Sequence, residues 1–315
     1  VLLISAACIP AAEKPAGRAA ARFHRVSEPR ENAFTVLVPD GWQTTGGIVR
    51  VNPDAGGGAV NAIAAKTDFA VMRDAQGTAM IRILPDVMFA DVTGTPVAGL
   101  FPPGSNYNGA TVHPVVDPYL FLTGIAFRYA HPRAGQPRVT DRRPLPSLVQ
   151  EMRAGLALNP ILANLRYSAG LVSLSYQEGG TQYTEKMAGG IVATGPQLGG
   201  LWWNQRTLLV RAPAAEFDAL APVFATIQDS VRINPQWLAG EIRGQMTRTD
   251  TVRRLQQDIQ RIEREMQENR ARTNSEINNN MYLTLTGQEE YVNPHTGETE
   301  RGTNQWKYRW VTPGG

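Results

Sequence analysis

The chain has 315 residues, of which 42% are hydrophobic, so it is long enough for one large or two modest globular domains. Its 30 glycines and 22 prolines follow no collagen-like period, and they indicate many turns and short strands instead of a helical bundle. The net charge is only +3 and the 31 basic residues are spread along the chain, which argues against a dedicated nucleic-acid surface. The single cysteine excludes an internal disulfide bond.

The segment Val1–Cys8 has the composition of the end of a bacterial signal peptide. Three small residues precede the cysteine, and a flexible segment that contains alanine and proline follows it. This order is typical of a lipoprotein processing site, at which Cys8 would be lipidated. Ser5 stands where that pattern prefers leucine, so ordinary signal-peptidase cleavage remains an alternative, as does a cytosolic chain with a disordered start. We expect export to the periplasm or outer cell envelope, with residues 1–22 as signal remnant and linker.

Residues 23–235 are predicted to form one α+β domain on a mostly antiparallel sheet, because several strands follow one another without helices between them. Helices are expected at Ser147–Ala157 and Ala214–Ile227. The segments 91–114 and 131–146 are rich in glycine or proline and are expected to be loops. The expected strands are Phe34–Val38, Asn61–Asp74, Thr78–Leu84, Gly170–Tyr176, Gln182–Val192 and Leu201–Arg211.

A long amphipathic helix is predicted for residues 236–278. Apolar residues recur there at alternating spacings of three and four, which is typical of a coiled-coil seam. The seam covers about two heptads where ~3–4 are wanted, so packing within the chain is favoured and self-association through residues 252–266 is an alternative. The seam consists of Val252, Leu255, Ile259, Ile262 and Met266.

The last residues, 279–315, are predicted to form a small aromatic β-module. Trp306, Tyr308 and Trp310 alternate on one expected strand, so their rings lie on the same face of the sheet. Such a row can stack on sugar rings or proline-rich peptides, and it can equally form the core of a small sheet. Tyr291 and Trp203 join these three residues as candidate ligand-binding residues. The expected strands are Met281–Thr286, Glu290–Asn293, Glu298–Arg301 and Gln305–Val311.

Catalytic motifs are missing from the sequence: it contains no nucleophile elbow, no His-Glu-x-x-His, no phosphate-binding loop and no dinucleotide fingerprint. The histidines have no metal-ligand spacing, and both His113 and His131 precede proline, where we expect exposed loops. We therefore assign no catalytic residue, no metal and no cofactor. A hydrolase acting on glycan or peptide is the alternative, with Ser105 or nearby carboxylates beneath the loop 101–109. The carboxylates are Asp68, Asp74, Asp86 and Asp91, for which turn formation is the favoured role.

Two segments resemble known families. Phe34–Trp42, in the pattern Phe-x-x-x-x-Pro-x-Gly-Trp, and Phe224–Ser230 before Asn234-Pro235 resemble the first strand and last helix of PsbP-like α+β domains. That resemblance covers the edges of residues 30–235 and implies an adaptor or assembly role without enzymatic activity.

The tail from Tyr291 to Glu298 resembles the C-terminal segment of uncharacterised exported bacterial proteins. It also resembles the second half of a WW domain, but that family's upstream tryptophan is absent, which indicates shared hairpin chemistry only. The sequence thus predicts an exported, non-catalytic envelope protein that binds a protein partner or a cell-wall component. It predicts no nucleic-acid partner, and membrane association only through a possible lipid anchor.

Overall fold

The computed structural model describes residues 22–52, 58, 61–95, 98–107, 109–156, 165–195, 200–286, 288–303 and 305. The chain divides into two compact units, Val1–Asp250 and Thr251–Gly315. Helices and antiparallel strands are both abundant, which confirms the predicted α+β class with a mostly antiparallel sheet.

The strands of the first unit are β1 (Phe23–Ser27), β2 (Phe34–Pro39), β3 (Gln43–Val49), β4 (Lys66–Met72), β5 (Met80–Ile83), β6 (Met88–Ala90), β7 (Asn106–Tyr107), β8 (Ala110–Val112), β9 (Arg138–Pro144), β10 (Arg166–Glu178), β11 (Thr181–Ala193), β12 (Leu201–Pro213) and β13 (Arg232–Ile233). The helices are α1 (Pro118–Leu120), a π-helical segment (Phe121–Ala126), α2 (Phe127–Ala130), α3 (Pro146–Leu156), α4 (Phe217–Asp229) and α5 (Pro235–Thr286). The second unit contains β14 (Gln288–Val292) and β15 (Thr299–Thr303).

The main sheet has the strand order β3-β4-β5-β12-β11-β10-β9, with β6, β7 and β8 attached beside β12. All of its pairs are antiparallel except β6 with β8. The longest hairpin joins β10 to β11 without a break, from the pair Arg166 and Ala193 to the pair Glu178 and Thr181. Gly179 and Gly180 form its turn with φ of +57° and +80°, the left-handed geometry that a two-residue type I′ turn requires.

Each face of the main sheet is covered, because successive residues of a strand point to opposite sides. Leu208 and Val210 of β12 pack with α4 and with the small sheet β1-β2-β13. Leu209, between them, packs on the other face in the cluster that contains the π-helical segment. α3 covers a third apolar cluster, over β10 and β11. Burial of each large side chain stabilises the fold by roughly 1.5–3 kcal/mol, so these clusters dominate its stability.

Several predicted elements are confirmed with small shifts of their ends. The hairpin of β4 and β5 and the three long strands β10, β11 and β12 lie where the sequence indicated. α4 buries the predicted face against the sheet, and Trp42 contacts Phe224 with ring centroids 6.2 Å apart. Apolar periodicity was sufficient to predict these elements, because each of them packs against only one or two neighbouring elements.

Three predicted elements are wrong. The expected loop 91–114 contains the short strands β7 and β8. Part of the expected loop 131–146 is the strand β9, which hydrogen-bonds to β10 despite its polar sequence. Met281–Thr286, expected as a strand, forms the end of α5. Extending an existing helix needs no new nucleus, and this outweighs the weak strand preference of such a short segment. Gly287 follows the last helical residue, as is common after helices.

A buried carboxylate closes the connection between β1 and β2. Glu28, which is 2% exposed, accepts backbone hydrogen bonds from Arg30, Glu31, Ala33 and Ile48 at 2.8–3.3 Å. Burial by itself would raise the pKa of Glu28, but these backbone donors outweigh it and the pKa is lowered below its usual value.

Replacing Glu28 with Gln is expected to reduce the free energy of unfolding at neutral pH by about 1–3 kcal/mol, because buried N–H groups lose a charged acceptor. A carboxyl with a lowered folded pKa stabilises the fold above its unfolded pKa and loses that contribution as the pH falls through the folded value. The difference from the natural chain should therefore shrink below the ordinary glutamate pKa. Urea unfolding across pH measures it, with Asp229→Asn as the exposed control; equal losses in both variants would contradict the assignment.

The start of α5 is fixed to the first unit by Glu241, whose side chain is 2% exposed. Its carboxylate accepts from Arg50 at 2.6 Å, from Arg248 at 2.8 Å and from the backbone N–H of Ala65 at 2.9 Å. Arg50 also holds Glu31 through two hydrogen bonds of 2.8 and 2.7 Å. Carboxylate and guanidinium groups thus connect the helix to β3 and to the segment before β4.

Glu241→Ala should lower the free energy of unfolding by about 1–3 kcal/mol, because it removes one acceptor from each of two arginines and leaves the buried N–H of Ala65 without its acceptor. This loss is smaller than the loss expected for a fully buried ion pair, because the two arginines are partly exposed to solvent. Arg243→Ala, on the exposed side of the same helix, is the control and should change the stability by less than about 0.5 kcal/mol. Urea denaturation of both variants tests whether this contact, and not helix propensity, stabilises the start of α5.

Candidate functional site

The sequence predicted five ligand-binding residues, and three of them lie outside the described residues. These are Trp306, Tyr308 and Trp310, and the proposed lipidation site Cys8 lies outside them too. The side chains of the predicted seam 252–266 are likewise not described at its apolar positions. Their roles therefore stay predictions.

Tyr291 is described, and it is half-buried in the hairpin of β14 and β15. Its hydroxyl donates to the carbonyl of Thr303 at 2.8 Å, so the ring is fixed across the hairpin. The turn at residues 293–297 is held by Asn293, whose side chain accepts from the N–H of His295 at 2.9 Å. Gly297 completes it with a φ of +74°. The tyrosine therefore has a structural contact, and its role as a ligand-binding residue stays a prediction.

Trp202 and Trp203 lie on opposite faces of β12, as their adjacent positions require. Trp202 is fully buried, stacks on Phe89 with centroids 4.3 Å apart, and donates its indole N–H to the carbonyl of His113 at 2.7 Å. Trp203 is half-buried and packs against the cluster beneath α3. It therefore borders the α3 side of the sheet, and a role in binding is still a prediction.

Three of the four candidate carboxylates are engaged in structural contacts. Asp68 accepts two hydrogen bonds from Arg82, at 2.8 and 2.9 Å, and one from the Tyr129 hydroxyl at 2.7 Å. Asp74 accepts from the N–H of Thr78 at 3.0 Å, and Asp91 from the N–H groups of Thr93 and Val115 at 3.0 and 3.1 Å. Burial opposes ionisation of all three, yet these donors lower the pKa of each carboxyl. They remain ionised and structural.

Asp86 differs from the other carboxylates. Burial raises its pKa to about 6, and nearby Lys66 and Arg206 oppose that rise. The Lys66 ammonium donates to the main-chain carbonyl of Asp86, and burial lowers the pKa of the lysine. A carboxyl that is protonated near neutral pH can act as a general acid, but hydrolysis also needs a base or nucleophile across the scissile bond. The charged groups that influence Asp86 are cations, so the described geometry lacks a carboxylate pair here.

The loop that was expected to cover a site is held against β8. The Gly104 N–H donates to Val112 at 2.8 Å, and the Asn61 side chain donates to the carbonyl of Gly109 at 2.5 Å. The rings of Phe101 and Tyr107 contact edge to face with centroids 4.9 Å apart. The hydroxyl oxygen of Ser105 is buried and makes no hydrogen bond within the described residues. Among the described residues, no side chain makes the hydrogen bond that would activate Ser105 as a nucleophile.

The centre of the main sheet contains a buried polar cluster that the sequence did not reveal. Arg211 of β12, Glu185 of β11 and Tyr176 of β10 are at most 4% exposed, and His131 after α2 is 3% exposed. The Tyr176 hydroxyl donates to Glu185 at 2.6 Å, and Arg211 donates to Tyr176 at 3.2 Å. Arg211 also pairs with Glu178, which is partly exposed. The charges of Arg211 and Glu178 therefore neutralise each other.

The position of His131 corrects the expectation of an exposed loop histidine. Its Nδ1 lies 3.1 Å from a nitrogen of Arg211, and its Nε2 lies 2.7 Å from an oxygen of Glu185. Because a guanidinium can only donate, Nδ1 must accept, and the proton of the neutral ring is on Nε2, towards Glu185. The contact with Glu185 is outside hydrogen-bond geometry, and the other oxygen of Glu185 has no hydrogen-bond partner in the described chain. The cluster is enclosed, which is typical of a structural network.

Arg211→Met is expected to destabilise the protein by about 3–5 kcal/mol, because it removes the cation from a cluster that contains the carboxylates of Glu178 and Glu185. It also removes the donors that hold the main-chain carbonyls of Gly77 and Gln76, at 2.8 and 3.2 Å. Thermal and urea unfolding measure the loss. Arg232→Met, at an exposed arginine of β13, is the control. A loss in Arg211→Met no greater than in this control would mean that the cluster is not a stability determinant.

An apolar cavity lies between α4 and the sheet, but it has room for roughly one water molecule. Its wall is almost entirely hydrophobic, with Gln228 as the polar exception. The lining residues are Phe34, Val36, Phe69, Val71, Ile81, Ile83, Leu208, Ile227, Gln228 and Val231. A space of this size is a packing gap in the core and not a ligand site.

The strongest exposed feature is the basic segment 128–143, which ends in β9. It contains five arginines and one acidic residue, and all five arginines are exposed. Asp141 pairs with Arg143 at 2.6 Å, whereas Arg142 only stacks on the ring of Tyr119, 5.8 Å from its centroid. The remaining three, Arg128, Arg133 and Arg138, make no side-chain hydrogen bond or ion pair within the described chain. A concentrated positive charge therefore faces solvent at one edge of the sheet.

Comparisons with known proteins locate the fold but not the function. No protein-family model matches the chain, and no curated protein gives a significant match. The architecture is of the α+β class. It resembles the solution structure of cyanobacterial PsbP (CyanoP) from Synechocystis sp. PCC 6803, with a TM-score of 0.28 and 11% identity over 70% of this chain and 98% of that one.

A second similar structure is LpqN, described as involved in cell envelope biogenesis of Mycobacterium tuberculosis. Its TM-score is 0.24 and its identity 14%, over 68% of this chain and 91% of that chain. The PsbP-like resemblance expected from the sequence is thus found in the structure, and at these scores it carries no functional argument. Among the described residues no helix is both long and apolar enough to span a membrane.

Proposed function

We propose that the chain is an exported, non-catalytic protein of the bacterial envelope that binds a protein partner or a cell-wall component. The observation that carries this proposal is the exposed arginine segment 128–143, three of whose arginines have no side-chain partner among the described residues. Exposed charge of one sign attracts ligands of the opposite sign and increases their rate of association. Export is supported by the signal-like composition of Val1–Cys8.

Most of the other charged groups make structural hydrogen bonds within the protein, and this also supports a binding role over a catalytic one. Asp68, Asp91 and Glu241 each hold arginines or backbone donors, and the Glu185 cluster is enclosed by the sheet. Groups committed to structural hydrogen bonds are poor acids, bases or nucleophiles, because a reaction would have to break those bonds.

A hydrolase remains the second candidate, and the elevated pKa of Asp86 favours it. The full chain should nevertheless show no turnover above buffer on fluorogenic glycan and peptide substrates, from mildly acid to neutral pH. Turnover that is abolished by Asp86→Asn and kept by Asp229→Asn would overturn the non-catalytic proposal. The control removes one exposed carboxylate at the end of α4.

The binding half of the proposal is tested by cross-linking in the bacterial cell. A photoreactive amino acid in place of Arg138 should give a discrete adduct, identified by mass spectrometry. The same amino acid in place of the exposed Arg243 of α5 should not give that adduct. If neither position, or both equally, yields an adduct, the arginine edge does not mark the binding surface.

A further inference from the structure

We propose that β9 is a docking edge, to which an extended acidic segment of a partner protein adds as a further strand of the main sheet. This inference rests on the proposed function and specifies its partner. It joins two observations: the position of β9 at the end of the sheet, and the charge of the side chains that it presents.

Among the described residues, β9 pairs with another strand on one side only. It pairs with β10 on its inner side, from Arg138 opposite Ser175 to Pro144 opposite Gly170. It is the last strand in the sheet order, and no other described strand lies beyond it. A terminal strand presents a row of N–H and C=O groups on its outer side, which is the template used when an extended peptide adds to a sheet.

The side chains of β9 are positive on both faces of the sheet. Arg142 lies on the face of α1, above the ring of Tyr119, and Val139 packs into the core on that same face. Arg143 lies opposite Leu171, and Arg138 opposite Ser175, on the face of α3. An added strand would therefore meet an arginine whichever way its side chains point.

The positive charge of the segment that ends in β9 determines which kind of strand can bind there. The segment 128–143 has a net charge of +4 from five arginines and one aspartate, with His131 neutral. Opposite charges on directly facing strands stabilise pairing, and like charges destabilise it. A second copy of the chain would bring its own arginines against these, so edge-to-edge pairing of two β9 strands is disfavoured. A strand with acidic residues at alternate positions satisfies both the backbone and the arginines.

The probe is a fluorescently labelled synthetic peptide of alternating glutamate and valine, added to the full chain and followed by anisotropy. We expect saturable binding that weakens with salt, because exposed charges are screened. The double variant Arg138→Glu with Arg142→Glu should bind at least about tenfold more weakly, which corresponds to ~1.4 kcal/mol. Arg22→Glu with Arg243→Glu changes the charge equally at two other exposed arginines and should bind within about twofold of the natural chain.

A second peptide separates strand addition from simple charge attraction. It has the same sequence but carries N-methyl groups at alternate residues, which remove the main-chain donors on one side. This peptide should lose the binding, and equal binding of both peptides would overturn strand addition. Unfolding midpoints of all variants should agree, because the substituted side chains are exposed.

Anionic lipid is the competing source of negative charge. Vesicles of phosphatidylglycerol with phosphatidylethanolamine should bind no better to the natural chain than to the double variant. Vesicle binding that depends on Arg138 and Arg142, without peptide binding, would overturn the proposal in favour of a membrane surface. A discrete cross-link at position 138 without peptide binding would refute strand addition and leave the proposed function standing.

Discussion

The long antiparallel strands β10, β11 and β12 bury the Arg211 cluster in a largely hydrophobic core, and the rest of the first unit depends on how that cluster is neutralised. A charge in such a position is tolerated only when it is paired and hydrogen-bonded. Arg211 meets this condition by joining β12 to three other parts of the chain: β10 through Tyr176, the end of α2 through His131, and the turn between β4 and β5 through Gly77 and Gln76. The cluster fixes both register and the position of the helical layer.

Buried carboxylates at the edges of the first unit are also stabilised by several hydrogen bonds. Glu28 gathers backbone donors between β1 and β3, and a side chain at Gly47 would lie 2.2 Å from its carboxylate oxygen. Glu241 fixes the start of α5 by the same means. Ionised carboxylates with several donors are strong local constraints, because removing one leaves several buried groups unsatisfied. The buried charges of Glu28, Glu241 and Arg211 therefore serve the fold, whereas the arginines of β9 are exposed to solvent.

Much of the sheet could be predicted from the sequence, and most of the candidate site could not. The hairpin of β10 and β11 is encoded locally, by Gly179-Gly180 between two strand-forming segments. β9 has no apolar alternation, because only Val139 of its residues packs into the core, and its pairing is decided by β10. The histidine of the buried cluster was equally hidden, since His131-Pro132 has the local character of a loop. The five arginines of 128–143 were not singled out in the sequence, and only the fold shows that part of this segment lies on a sheet edge.

By itself the sequence determined the α+β class, the long C-terminal helix and the principal strands, because turn residues and apolar periodicity act over a few residues. The tertiary structure decided which polar groups are buried and which strand ends the sheet. Both depend on contacts between residues far apart in the chain, such as Arg211 with His131 and Glu241 with Arg50. Long-range pairing of this kind leaves no local pattern, so burial and edge position emerge only when the sheet is assembled.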